Sequence, residues 1–169
     1  TVIIPCYNLG ELLPQAIDSV LRQSIGTVQI VVVDDVSDDE ATKAVLKELE
    51  STVEVVYAKK NGGVAAARNL GIQKAKSDYI LCLDADDTIE PTYLEKAMNM
   101  FEMDEKVGIV SCWAQYFGEV DSQWRVEADV SLARALVGSP IPTASCFRKS
   151  AWKQVGGYEE RLRGYEDWE

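Results

Sequence analysis

Tyr79-Ile80-Leu81-Cys82-Leu83-Asp84-Ala85-Asp86-Asp87 is an apolar run that ends abruptly in acid. The run fits a strand covered on both faces, and the acids fit a turn at its carboxyl end. Upstream, the pattern recurs. Thr1-Val2-Ile3-Ile4 reads as a strand that stops at Pro5 and gives way to Cys6-Tyr7-Asn8, and Val28 to Val33 gives way to Asp34-Asp35. Val53 to Ala58 is a further strand. Helical patterns lie between these runs. Leu12, Leu13, Ala16, Ile17, Val20 and Leu21 recur at helical spacing and predict a helix from about Glu11 to Gln23. Ala41, Ala44, Val45 and Leu49 form the stripe of a second helix, with Ser37 as its cap and Glu40 completing a capping box. The turn Asn61-Gly62-Gly63 precedes an alanine-rich helix from Val64 to Lys76, and Pro91 opens a helix carrying Tyr93, Leu94, Ala97, Met98 and Phe101.

Strand and helix in regular alternation predict an α/β fold: a Rossmann-like, doubly wound, mainly parallel sheet flanked by helices. Beyond Lys106 the rhythm changes to an irregular second half. Val107 to Cys112 reads as a strand, Trp113 to Val130 shows little periodicity, and Gly138-Ser139-Pro140-Ile141-Pro142 is a rigid loop. Thr143 to Phe147 reads as a strand, followed by a short helix to Val155 and the turn Gly156-Gly157. The expectation is a single domain over residues 1–169, divided near 105. The chain opens directly into a strand and closes inside a charged aromatic cluster, so a fragment truncated at its C-terminal end is expected.

Composition narrows the chemistry. Hydrophobic residues make up 47% of the 169 and charged residues 27%, as in a soluble packed domain. Seventeen basic against 28 acidic residues leave a net charge of −11, which repels phosphate backbones and anionic lipid, so nucleic acid is not an expected partner. No apolar stretch approaches the ~20 residues of a membrane span. Histidine is absent, which removes Ser-His-Asp and Cys-His catalysis and histidine-ligated zinc. Cys6, Cys82, Cys112 and Cys146 form no CxxC pair. They point to a reducing, cytoplasmic compartment, with any association to the inner face of a membrane made through other regions or partners.

In open α/β sheets, ligands bind beyond the carboxyl ends of the strands. Asp34, Asp35, Asp84, Asp86 and Asp87 converging there would repel one another, and a divalent cation relieves that repulsion. All-oxygen ligation suits Mg²⁺ or Mn²⁺ and leaves room for substrate phosphates. Asp-rich turns also cap helices, so Asp34-Asp35 alone reads equally well as a cap, and Asp87 and Asp38-Asp39 read better as capping or solvated. Gly62-Gly63 could present backbone N–H groups to a phosphate. Arg68 is either a solvated charge or an anion contact, and spacing does not decide. Gly164-Tyr165-Glu166-Asp167-Trp168-Glu169 sets acids beside large aromatics, which can raise a carboxylate towards a working pKa, but without a partner motif it reads better as a surface acidic tail. Trp113, Tyr116, Phe117, Trp124 and Trp152 read either as core or as a sugar-stacking platform.

Taken in order, these segments resemble the family 2 glycosyltransferases, inverting enzymes with a GT-A fold. The resemblance rests on Val2 to Asn8, Ile30 to Ser37, Asn61 to Gly71, Tyr79 to Asp87, Phe147 to Tyr158, and Gly164 to Trp168. Val36 departs from it, since the family usually has Gly or Asn in that turn, and family members continue past the Glu-Asp motif with a further helix. The resemblance implies that Pro5, Tyr7 and Asp35 surround the nucleotide base, Tyr7 by stacking and Asp35 by accepting a base N–H. It also places Asn61 and Arg68 on the nucleotide or its phosphates, Asp84 and Ala85 on the donor's ribose side, and Asp86 on a metal, Mn²⁺ or Mg²⁺. Asp167 is the implied general base. The implied reaction is metal-dependent, inverting transfer of a hexose from a nucleotide-sugar, with a UDP-sugar foremost, to the hydroxyl of a saccharide, lipid-linked or other acceptor in polysaccharide biosynthesis. Residues 1–105 would bind the donor and 106–169 the acceptor.

Two rivals share these residues. Asp84-Ala85-Asp86-Asp87-Thr88 also fits the DxDxT motif of haloacid-dehalogenase-like phosphatases, with Asp84 as nucleophile and Asp86 as acid–base. That motif normally follows the first strand of its domain, and here three strand–helix units precede it. The other rival is a non-catalytic nucleotide-binding module.

Overall fold

The β-branched run at the start forms strand β1 (Val2–Cys6), followed by α1 (Leu13–Leu21), β2 (Ile30–Asp34), α2 (Glu40–Leu49), β3 (Glu54–Tyr57), α3 (Val64–Lys74), β4 (Tyr79–Cys82) and α4 (Tyr93–Met103) in the computed structural model. The irregular half adds β5 (Ile109–Val110), β6 (Ala114–Tyr116), β7 (Ser122–Trp124), α5 (Leu132–Ala135), β8 (Cys146–Arg148) and α6 (Lys149–Val155). The structure describes residues 1–118, 120–126, 130–135 and 138–162.

Six strands pair in the order β3-β2-β1-β4-β8-β5. The pairings β2–β3, β1–β2 and β1–β4 are parallel, while β8 runs antiparallel to both β4 and β5. Alternate residues of the central strands serve opposite faces. Val2, Ile4, Ile30 and Val32 pack with Leu13, Ile17, Leu46 and Phe101 from α1, α2 and α4. Ile3, Val31 and Val33 pack with Ala67 and Ile72 of α3. The doubly wound, three-layer arrangement expected from the alternation is therefore present. Helix α3 approaches the sheet closely at Gly71, where a Cβ would overlap Ile3 Cγ2 and stand 3.0 Å from Val33 Cγ2.

Several local readings need correction. Strand β1 does not stop at Pro5 but continues to Cys6, with Pro5 in register with Val33. Val2 N and Cys6 O bond on the β2 side, so alternation turns the Pro5 nitrogen towards β4. The β4 ladder has ended by then, its last registered pair being Ile3 with Cys82, so no donor is missed. Helix α2 is capped by Asp39, which accepts from Thr42 N at 2.7 Å. Ser37 Oγ instead accepts from Asn8 N at 3.0 Å. The Trp113 to Val130 stretch contains a hairpin, with Ala114 opposite Trp124 and Tyr116 opposite Ser122. The strands expected over Val107–Cys112 and Thr143–Phe147 shrink to β5 and β8. Among the described residues, no helix is long and apolar enough to cross a membrane.

Val36 holds a left-handed φ of +64°. A β-branched residue is strained there, which gives a physical reason for Gly or Asn at this turn. Since the side chain is 41% exposed, little packing opposes its removal. Val36→Gly is expected to stabilise the fold by about 0.5–1 kcal/mol, net of glycine's larger unfolded-chain entropy. Equilibrium denaturation checks this, and a loss of stability would show that Val36 packs usefully.

Candidate functional site at the carboxyl ends of the strands

From β1 the chain winds outward through β2 to β3, then returns across β1 to place β4 on its other side. The crevice beyond the tips of β1 and β4 is thus the switch point at which such sheets bind ligands. Three turns surround it: residues 7–10 after β1, residues 35–39 after β2, and residues 83–88 after β4.

The first two turns are clasped together by Asn8, a residue to which the sequence reading assigned no role. Its Nδ2 donates to Asp38 Oδ1 at 2.6 Å, and its Oδ1 accepts from Asp38 N at 2.9 Å and Asp39 N at 3.2 Å. Asn8 has φ +56°, a conformation that asparagine tolerates better than most residues. The clasp carries Tyr7, whose ring is 45% exposed and whose hydroxyl lies 3.5 Å from Asp38 Oδ2. A flat, accessible ring beside Pro5 is suited to stacking.

Asp35 is buried behind it and ties down the third helix. Gly62 N donates to its Oδ1 at 2.9 Å, Gly63 N to its Oδ2 at 2.7 Å, and Asn61 Nδ2 to its backbone carbonyl at 2.9 Å. Gly63, the N-cap of α3, can aim its amide this way because it holds φ +83°. The two amides considered for a phosphate are therefore given to Asp35, at the positive end of the helix dipole. Asp34 Oδ1 accepts from Ser37 N within the neighbouring turn.

In the third turn, Asp87 N bonds to Asp84 O at 3.0 Å and Ala85 is buried beneath. Asp86 and Asp87 are left at the surface. The Arg68 side chain, only 1% exposed, reaches Asp84 Oδ1 at 2.8 Å and stacks 5.7 Å from the centre of the Tyr158 ring. Asp87 retains open surface, yet partial burial pushes its carboxyl up to about 6, with Asp84 and Asp86 adding to the push.

The site's all-oxygen donors fit a hard divalent cation, and the uncompensated charge around Asp87 is what a cation would relieve. Among the described residues, no three Asp, Glu, His or Cys side chains could hold a metal ion by themselves. A cation would accordingly take its remaining ligands from water or from a bound ligand's oxygens.

The Asp87 titration has a measurable consequence in metal-free protein. Between the ordinary 3.8 and about 6, the folded chain keeps a proton that the unfolded chain has released. Stability from this group is thus full at low pH and lost as pH rises through that window. Asp87→Asn is expected to stabilise the protein at pH 7.5 and to change little at pH 4. The gain should stay below about 1 kcal/mol, because the carboxyl is partly open to water. Thermal unfolding at both pH values checks it, and an equal shift at both would contradict it.

Asp167, with Glu166 and its aromatic neighbours, lies outside the described residues. The path towards it, through Tyr158 and Glu160, is described and packs on Asn69 of α3. Sequence reading gave Asn69 no role either, because its partners stand 83 to 91 residues away. Strand β5 shares the direction of β4, so Ser111, Cys112 and Trp113 leave the sheet at the same edge as Asp84. They help line a hollow of about 820 Å³ with Val126, Val130 and Ile141. Trp113, Tyr116 and Phe117 are each more than half exposed there or nearby in sequence, whereas Trp152 donates to Asn69 Oδ1 at 3.0 Å. A second, apolar hollow of about 560 Å³, lined by Val2, Leu81, Leu94 and Met98 among others, includes none of the crevice carboxylates.

Known proteins share this architecture. TarS from S. aureus, solved with UDP, superposes with a TM-score of 0.80 at 23% identity, over 99% of this chain and 52% of that one. The mannosyltransferase PcManGT from Pyrobaculum calidifontis, solved with GDP-Man and Mn²⁺, gives 0.74 at 21% identity, over 99% of this chain and 49% of its own. At such identities the likeness establishes the fold. In sequence, the minor teichoic acid biosynthesis protein GgaB of Bacillus subtilis (strain 168) is 39% identical over 107 residues, 60% of this chain and 12% of GgaB. An uncharacterised glycosyltransferase of Rickettsia prowazekii (strain Madrid E) is 36% identical over 180 residues, 100% of this chain and 56% of that protein. The chain thus spans less than two thirds of the length of these relatives. The profile of the family described as "Glycosyl transferase family 2" matches residues 1–158, nearly the whole described chain, and with the GT-A fold around it this chain belongs to that family.

Proposed function

We propose that the chain forms the core of a glycosyltransferase that moves a hexose from a nucleotide-sugar, a UDP-sugar foremost, to an acceptor hydroxyl with inversion. The observation that carries the reading is the meeting of Tyr7, Asp35 and the Asp84–Asp87 turn at one switch-point crevice. Tyr7 stacks on the base against Pro5, and the Asp35 carboxylate, held by the turn at Asn61, accepts a base N–H. Asp84 and Ala85 shape the ribose side, and Arg68, expected on the nucleotide or its phosphates, is buried against Asp84 and so serves the donor by fixing that carboxylate. Asp86 would hold Mn²⁺ or Mg²⁺, which when bound offsets charge on the departing diphosphate. The acceptor oxygen attacks the anomeric carbon as its bond to the diphosphate oxygen breaks, and Asp167 takes the hydroxyl proton. A single in-line displacement inverts that carbon.

Residues 1–105 act as the donor half and 106–169 as the acceptor half of one domain. The acceptor is a saccharide, lipid-linked or other hydroxyl in polysaccharide assembly. GgaB's role in minor teichoic acid biosynthesis and the UDP-GlcNAc and GDP-Man complexes of the structural neighbours support the substrate class. The phosphatase alternative is disfavoured, because its nucleophile Asp84 accepts from Arg68 and its strand is the fourth of the sheet order's parallel set.

Thermal unfolding with nucleotides tests the donor assignment. UDP with Mn²⁺ is expected to raise Tm more than ADP with Mn²⁺, since Asp35 offers an acceptor to uracil's N–H and adenine has a bare ring nitrogen at the matching edge. Equal shifts would remove the uridine assignment.

A further inference from the structure

Among the described aromatics of the irregular half, Trp113 alone both lines the hollow of about 820 Å³ and stays more than half exposed, at 57%. Tyr116 and Phe117 are exposed but outside that lining, and Trp152 is tied to Asn69. The Arg125 guanidinium lies 5.1 Å from the centre of the Trp113 ring and covers one of its faces. Arg125 is itself held, its Nε donating to Gln123 Oε1 at 2.8 Å. The ring is thus braced from one side, and its exposure belongs to the other face and the edge. A rigid aromatic face of this kind binds at little cost in side-chain entropy.

Register fixes where that face stands. Ile80 and Ile109 both pair with Phe147, on either side of β8. Asp84 follows Ile80 by four residues and Trp113 follows Ile109 by four, so both leave the sheet at one level and with the same parity. The Ser111 and Ser145 hydroxyls, 2.9 Å apart, carry the β5–β8 register one step past the strands. Two strand spacings, roughly 10 Å, separate the carboxylate turn from the ring. The walls of the hollow are mixed. Val126, Val130 and Ile141 are apolar, while Ser111, with Ser145 as its described partner, keeps capacity for another hydroxyl. Its volume falls within the range of small-molecule sites, about 300–1,000 Å³.

We infer that Trp113 is the acceptor platform of the transfer reaction: a hexopyranose ring of the acceptor stacks on the open indole face, beside the Asp84–Asp87 turn. The inference rests on the proposed glycosyl transfer and narrows its acceptor from any hydroxyl to a saccharide. A pyranose presents ring C–H groups on a flat face and hydroxyls around its rim. The indole matches the first and Ser111 the second. An acyclic polyol or a lipid alcohol offers no such ring face.

Saturation-transfer NMR on the full-length protein with UDP and Mn²⁺ tests this, using methyl glucoside, methyl galactoside and methyl N-acetylglucosaminide in their pyranose forms, with glycerol and ribitol as acyclic comparators. At least one pyranoside is expected to bind, with transfer strongest on the C–H protons of one ring face, while glycerol and ribitol do not. Trp113→Ala should weaken that pyranoside at least ~10-fold, and Trp113→Phe, which keeps a ring, should recover most of the loss. Because Trp113 is exposed, neither variant removes core packing. Affinities for UDP and UDP-GlcNAc with Mn²⁺ should stay within about twofold of the parent in both, as for a residue that touches only the acceptor. Pyranoside binding that Trp113→Ala leaves unchanged, or no pyranoside bound by the parent, would overturn the platform and leave the hollow to another segment of the protein. Equal binding of ribitol would overturn the saccharide assignment. A parallel loss of UDP-GlcNAc affinity would move Trp113 to the donor side and overturn the acceptor role. Failure of the glycosyl-transfer reading itself shows in the separate titration, as a parent that binds neither UDP nor UDP-GlcNAc.

Discussion

Asp167→Asn in the full-length protein is expected to bind UDP-sugar and metal nearly as the parent does, yet to transfer sugar at least ~100-fold more slowly. A general base acts on the transition state far more than on the bound donor, so its loss appears in kcat and spares donor affinity. Asparagine keeps the size of the side chain and removes its ability to take a proton. None of these 169 residues is a histidine that could offer an imidazole in its place. Glu166→Gln should be milder, because adjacent side chains rarely face the same point. Steady-state transfer and UDP binding, measured on the same preparations, separate the two quantities. Robust transfer by Asp167→Asn would refute the assignment.

Asp86→Asn is expected to weaken Mn²⁺-dependent UDP binding at least ~10-fold, about 1.4 kcal/mol, while metal-free UDP binding changes little. The substitution replaces a charged oxygen ligand with a neutral one of the same shape. Its neighbours cannot easily compensate. Asp84 is engaged by Arg68, and Asp87 resists ionisation until about pH 6. Asp87→Asn should therefore affect nucleotide affinity much less than it affects pH-dependent stability. Calorimetric titration with and without Mn²⁺ distinguishes them, and identical losses for the two variants would show that the ligand within the turn is misassigned.

The sheet was legible because Val2 to Ile4, Val31 to Val33 and Ile80 to Leu83 are buried on both faces, which leaves unbroken apolar runs in the chain. Helices α1, α2 and α4 were legible because each buries one stripe, whereas α3, which buries Ala65, Ala67, Arg68, Asn69, Gly71 and Ile72, was legible by its alanine content. The hairpin of β6 and β7 left no such trace. Its strands are three residues each and largely exposed, so no buried face forces apolar and polar residues to alternate. Ser37 and Asp39 were both competent caps by type. What decided between them was Asn8, some 30 residues earlier, whose backbone amide takes the Ser37 hydroxyl. Arg68 was ambiguous for a similar reason: its partner Asp84 lies 16 residues on, across a strand whose position only the fold supplies. The carboxylate turns could be seen as candidates, but the donation of Gly62 and Gly63 amides to Asp35 could not, since the same dipeptide before a helix suits an outside anion equally well.

The clasp made by Asn8 bears on how fast a nucleotide can arrive and how long it stays. With Asp38 and Asp39 holding it at three points, the loop under Tyr7 is ordered by the fold itself. Ordering a residue's backbone costs roughly 1–2 kcal/mol, and here that cost falls on folding, not on ligand capture. Association of UDP should accordingly be a single exponential whose rate grows in proportion to nucleotide concentration, with no slow phase of loop closure. Discrimination among bases would then reside in dwell time: a poorly matched nucleotide lands as often as a good one and leaves sooner.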